Sequence, residues 1–174
     1  VIFIISVSVF LSQSITVTTV SVVPSMVTTS IGQNFSINVN ISSVSDLYGW
    51  EFKLSWNSTL IDAVDVTEGT FLKNGGETFF SPKTNNTAGY MLVDCTLLGN
   101  VSGVSGNGTL AIVKFHVERK GESIQDLFNT TLLNSSEQPI THQSADSMVT
   151  VVSTGHDVAI KDVTPFKTVV GQGH

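Results

Sequence analysis

Three sets of side chains in this sequence are of the types that catalysis or metal binding would need. Cys95 and His116 could form a thiol nucleophile with its base, provided that the two meet. Cys95, however, falls on the apolar side of an alternating segment with Met91, Val93 and Leu97, where a cysteine acts as a small hydrophobe. His116 lies between Phe115 and Val117 and so points to the opposite face of its own strand. Asp62, Asp65 and Glu68 recur every three residues and could offer hard oxygen ligands to calcium. They lack the Asp-rich loop with its central glycine that marks an EF-hand, and strand alternation scatters them over two faces. Glu51 with Asp94 could supply the facing carboxylates of a glycosidase. Both belong to the polar side of their segments, which predicts an open face rather than a cleft. The sequence also has no Gly-x-Ser-x-Gly elbow, no His-Glu-x-x-His pair and no phosphate-loop lysine. No enzymatic activity, metal or cofactor is expected.

The elements that position these residues follow from composition and period. A chain of 174 residues holds one domain of roughly 130–150 residues with something over at its ends. Ser and Thr together number 42 and charged residues make up only 13%, while Val, Ile, Thr and Phe are plentiful. β-Branched side chains are stiff at χ1 and pack well on a pleated surface, so strands are favoured. The net charge is −6 with only eight Lys and Arg. That leaves no cationic footprint to displace counterions from nucleic acid or to hold an anionic membrane. The single cysteine excludes an intrachain disulfide, so the core alone must stabilise the domain.

Val17–Val23 reads as a first strand stopped by Pro24. Asn34–Ile41 puts Phe35, Ile37, Val39 and Ile41 on one face. Gly49–Trp56 puts Trp50, Phe52, Leu54 and Trp56 on one side, with Glu51, Lys53 and Ser55 on the other. Such alternation is what a half-buried antiparallel strand requires. Leu60–Val66, Glu77–Ser81 and Tyr90–Leu98 follow; then the glycines of Gly99–Gly108 predict a flexible loop. Leu110–Glu118 alternates again, Gly121–Leu127 reads as a short helical turn, and Phe128–Leu133 and Ser147–Val152 close the series. Nine strands without a long helix predict an all-β fold, a nine-stranded β-sandwich with jelly-roll topology.

Eight of the eleven asparagines begin an Asn-x-Ser/Thr sequon: Asn34, Asn40, Asn57, Asn85, Asn100, Asn107, Asn129 and Asn134. Chance would supply about three. The excess predicts N-glycosylation at turns and strand edges, and with it a secreted, cell-surface setting. The apolar run Val1–Leu11, with small residues at Ser12 and Ser14, reads as the remnant of a signal peptide spanning 1–14. The alternative is that Val1–Phe10 is a strand donated to a neighbouring subunit's sheet. After Ser153-Thr154-Gly155 the pattern restarts, and 156–174 reads as the opening of a second, truncated domain.

The order of these motifs resembles the cohesin domain. The resemblance rests on DLYGWEFKLSWNSTLIDAVDV (Asp46–Val66), EGTFL (Glu68–Leu72), NNTAGYMLVDCTLLG (Asn85–Gly99) and GNGTLAIVKFHV (Gly106–Val117), and assigns the domain to 20–152. It implies a non-catalytic β-sandwich that binds a dockerin-like module of another protein, as in cellulosomes or on bacterial and archaeal surface proteins. It further implies that docking uses outward side chains of the third, fifth and sixth strands, which here places partner contacts on Glu51, Lys53, Leu92, Asp94 and Thr96. The terminal segment resembles the start of an immunoglobulin-like, cell-adhesion-related domain. Two other functions fit the same fold: a carbohydrate-binding module bound to polysaccharide, and a filament or surface-layer subunit assembled by strand donation. Against the first, sugar platforms usually expose a row of Trp or Tyr, whereas both tryptophans here alternate inward.

Overall fold

The computed structural model describes residues 16–153; the leader assigned to 1–14 and the second domain assigned to 156–174 lie outside them. Ten strands are present among the described residues. They are β1 (Thr19–Val23), β2 (Met26–Ser30), β3 (Asn34–Ser55), β4 (Ile61–Glu68), β5 (Thr78–Asn85), β6 (Tyr90–Leu97), β7 (Val104–Val117), β8 (Gly121–Asn134), β9 (Gln143–Ala145) and β10 (Ser147–Val152), with one 3-10 turn at Leu72–Gly75.

β3 organises the molecule. Its first half pairs with β1 on one side and β7 on the other, and its second half with β8 and β6. One layer therefore runs β9–β1–β3–β7–β4 and the other β5–β6–β3–β8–β10–β2. The layers close over Phe35, Ile37, Val39 and Ile41 from the first half of β3 and Trp50, Phe52, Leu54 and Trp56 from and just beyond its second. Cys95, Phe115 and their inward neighbours on β6 and β7 complete this core. The period-two pattern thus names the buried side chains correctly on β3, β6 and β7.

The strand that carries both layers must bend, and the bend is where sequence alternation lapses. Ser43 and Asp46 adopt positive φ of 54° and 57°, and the pairing with β7 shifts register between Ile41 and Val44 and again before Leu47. Such bulges leave backbone groups without ladder partners. Side chains supply them: Ser43 N donates to Asn107 Oδ1 (2.7 Å) and Asp46 N to Ser105 Oγ (2.9 Å). The Asp46 carboxylate in turn accepts from Gly103 N at 2.9 Å and, on its other oxygen, from Ser135 Oγ at 2.7 Å and Ser135 N at 3.2 Å. One carboxylate thereby ties the bend to the loop before β7 and to the end of β8.

The Ser135 hydroxyl, aided by the Ser135 and Gly103 amides, holds the Asp46 carboxyl below its usual range against the opposing effect of burial. A depressed carboxyl contributes stability that is complete above its unfolded pKa and is lost as pH falls through the folded value. Asp46→Asn, which tolerates positive φ, is therefore expected to destabilise the domain at pH 6 and to matter progressively less below about pH 4. Urea unfolding at the two pH values checks this. A destabilisation equal at both would mean that the charge contributes nothing.

Three local expectations are corrected. Among the described residues the strands number ten rather than nine, because Met26–Ser30 forms a further strand beside β10, β9 is added, and two predicted strands fuse into β3. The predicted loop at Gly99–Gly108 is shorter, since Val104–Gly108 already pairs with the bend of β3. The predicted helical turn at Gly121–Leu127 is extended strand. There the polarity is inverted: Ser123 and Gln125 face the interior while Ile124 is 56% exposed. Buried hydroxyls and amides are tolerated where they are hydrogen-bonded. Gln125 Nε2 donates to Ser123 Oγ (3.2 Å), which also accepts Asn57 N, and the neighbouring Ser147 Oγ donates to Pro24 O.

Candidate functional site

The second layer presents an open outward face on which the side chains stand in rows set by strand register. Glu51 on β3 is directly opposite Asp94 on β6, which is opposite Ser81 on β5. One row along, Lys53 faces Leu92, which faces Lys83. In the other direction Gly49, Thr96 and Phe79 line up. β8 extends the rows, with Thr131 beside Glu51 and Phe128 beside Lys53. All five sequence-derived partner residues, Glu51, Lys53, Leu92, Asp94 and Thr96, are half-exposed and mutually adjacent on this face. Residue spacing alone does not show that Phe79, Ser81 and Lys83 join them. β5 (TFFSPKTN) has no clean alternation, and only its pairing with β6 reveals which side chains face outward.

Gly49 leaves a shallow depression of about 250 Å³ between its own row and that of Glu51, bordered by Glu51, Asp94, Thr96, Thr131 and Leu133. A second of about 240 Å³ lies between Lys53, Lys83, Tyr90 and Leu92. Among the described residues, none of Glu51, Asp94, Lys53 and Lys83 enters an ion pair. The Glu51–Asp94 pair lies on an open sheet, so it does not form the cleft that glycosidic chemistry uses. Neither tryptophan is displayed on this face, as Trp50 and Trp56 are buried.

The other candidate chemistries come apart. Cys95 is buried, and its thiol donates to Glu68 Oε1 at 3.5 Å. Glu68 Oε1 also accepts Thr78 Oγ1, while its other oxygen pairs with Lys73 at 3.1 Å. His116 is on the outward face of the opposite layer, bonded to Asn34 Oδ1 and opposite Asp62. Among the described residues no group of three or more His, Cys, Asp and Glu side chains could hold a metal ion. Burial, reinforced by the Glu68 carboxylate, pushes the Cys95 thiol up to about 12. At pH 8 the thiolate fraction is then on the order of one in ten thousand. Iodoacetamide should alkylate Cys95 at least about a hundredfold more slowly in the folded protein than in urea. Comparable rates would show the site to be open.

The sequons spread over the whole surface. Asn34, Asn57, Asn85, Asn100, Asn107 and Asn129 are exposed; Asn40 and Asn134 are half-buried. Asn40, Asn107 and Asn129 lie within strands, and Asn40 is the one of the three that is half-buried. It sits inside β3 between Ser21 and Thr109, and its Oδ1 accepts the Thr109 hydroxyl.

A bent β3 shared by two layers, with an open and chemically mixed sheet face, defines a β-sandwich suited to protein association. The chain belongs to the cohesin domain family, whose model matches residues 20–164. Over 151 residues it is 26% identical to cellulose-binding protein A of Clostridium cellulovorans, covering 87% of this chain but only 8% of that much longer protein. A non-cellulosomal cohesin of the archaeon Archaeoglobus fulgidus superposes with a TM-score of 0.66 at 17% identity, covering 80% of this chain and 94% of that one. A type II cohesin from the cellulosome of Acetivibrio cellulolyticus gives 0.67 at 15% identity, covering 77% and 95%. The cohesin of a cohesin–dockerin complex from Clostridium thermocellum gives 0.68 at 14% identity, covering 79% and 100%. At these identities the structural matches establish the fold.

Proposed function

We propose that this domain is a non-catalytic binding module whose face on β5, β6, β3 and β8 docks a dockerin-type module of another protein. The observation that carries the reading is the adjacency of Glu51, Lys53, Leu92, Asp94 and Thr96 on one open face, in a chain of the cohesin family. Support comes also from the solved relatives, several of which are complexes of a cohesin with a dockerin. The module acts outside the cell, on a surface or scaffold protein; the sequon excess supports this setting. The Clostridium cellulovorans relative is named a cellulose-binding protein, which supports a link to polysaccharide. Direct sugar binding is the weaker reading, since no tryptophan is exposed.

Titration calorimetry of the full chain against dockerin modules encoded in the same genome tests the proposal, with pull-down on insoluble polysaccharide in parallel. A saturable complex with a dockerin and no retention on polysaccharide is expected. Retention on polysaccharide with no dockerin bound would replace the proposal with the carbohydrate reading.

A further inference from the structure

The docking face carries a charge order that specifies its partner more closely than the fold does. Two carboxylates directly opposite each other, Glu51 and Asp94, form one row, and two lysines flanking Leu92, Lys53 and Lys83, form the next. Like charges opposite one another on paired strands are destabilising. Among the described residues none of the four is neutralised by an ion pair, although acid and base rows are neighbours. Glu51 and Asp94 are the directly opposed like charges, and an incoming surface of complementary charge relieves their repulsion. Beyond the acid row lies the Gly49 depression, bordered by Leu133 and in line with Phe79, which is 57% exposed. Glu51 and Asp94 themselves stand on the rim of this hollow, so along the strands the face runs from the hollow to the acid row at its edge and then to the base row.

Rows two residues apart along a strand are separated by ~6.7 Å, and successive turns of an α-helix advance ~5.4 Å. Positions four apart on a helix rise ~6.0 Å, so a helix laid along β6 and β3 presents one such position near each of three successive rows. A helix of the dockerin is named in one of the related complexes, where it is the part that was altered.

We infer that the partner of this face is a helix bearing an apolar residue, a Lys or Arg, and an Asp or Glu on three successive turns, in that order. The apolar residue enters the Gly49 hollow, the cation lies over Glu51 and Asp94, and the anion lies over Lys53 and Lys83. The order fixes the direction of the helix as well as its composition. The inference rests on the proposal that this face is the docking surface, and the test separates the two.

The probe is a yeast-display library of dockerin-scaffold modules with one helix face randomised, selected against the full chain. Binders are then measured against E51K/D94K, against the neutral E51Q/D94N, and against Leu92→Arg. The expected result is enrichment of the apolar–basic–acidic order. Those binders should weaken about tenfold or more on E51K/D94K and less on E51Q/D94N. Selection against E51K/D94K should enrich an acidic residue at the middle position. Binders abolished by Leu92→Arg but showing no charge order, and indifferent to E51K/D94K, would overturn the inference and leave the face standing. An absence of binders, or binders indifferent to Leu92→Arg as well, would defeat the face itself.

Discussion

Leu92→Arg is expected to weaken binding of a docked partner by about thirtyfold or more, the loss typical of an interface hot spot, with the fold unchanged. Leu92 is the apolar residue at the centre of the face, directly between Lys53 and Lys83. It is half-exposed, so it contributes little to the core, and a longer side chain can extend into solvent. An arginine there removes the apolar centre and sets a bulky, hydrated charge beneath the docked surface, so it opposes docking by steric exclusion and by the cost of desolvation. Surface substitutions of this kind change stability by about 0.5 kcal/mol or less. Calorimetry with the partner, paired with a thermal melt followed by circular dichroism, checks both halves. Unchanged affinity would mean that the partner docks elsewhere on the sandwich.

The second large effect is in the core. Phe115→Ala is expected to destabilise the domain by about 4 kcal/mol, a large share of the about 5–15 kcal/mol that holds such a domain folded. Phe115 is fully buried on β7. Its ring stacks on Phe35 at a centroid distance of 5.4 Å and meets Trp56 edge-on at 5.3 Å. Phe35 opens β3 and Trp56 lies just past its end, so this one ring joins the two layers across the interior. Removing it leaves a cavity bounded by rigid rings and strand backbone, which cannot collapse inward as a cluster of flexible aliphatics can. Urea unfolding gives the value directly. A loss below about 1 kcal/mol would show that the interior repacks around the missing ring.

Much of the architecture was legible because a strand's side-chain period is two. On β3, β6 and β7 the inward set could be written down residue by residue, and Cys95 could be placed in the core and His116 outside it. The family motifs carried the same information in another form, and the outward residues Glu51, Lys53, Leu92, Asp94 and Thr96 followed from the alternation that hid their neighbours. Where the local pattern failed, a specific competing interaction explains it. At β8 the inward positions include Ser123 and Gln125, where Ser123 Oγ accepts Gln125 Nε2 and Asn57 N while Gln125 Oε1 has no partner among the described residues. A segment without inward apolar alternation, read as a helical turn, is therefore extended strand. Alternation separates Asn34–Ile41 from Gly49–Trp56, whereas residues 42–48 bend one continuous strand, held by hydrogen bonds to Asn107, Ser105, Gly103 and Ser135.

The sequence by itself determined the fold class, the family and the inward or outward direction of most strand residues, because these depend on neighbours one or two positions away along the chain. Which strands lie side by side was decided only by the tertiary structure, since pairing joins residues far apart in sequence. That pairing puts Lys83 of β5 level with Leu92 and Lys53, sets Glu51 against Asp94, and turns separate alternating segments into one face with a charge order. Register across strands is a long-range property, fixed when both layers bury their apolar sides at once, and no window along the chain contains it.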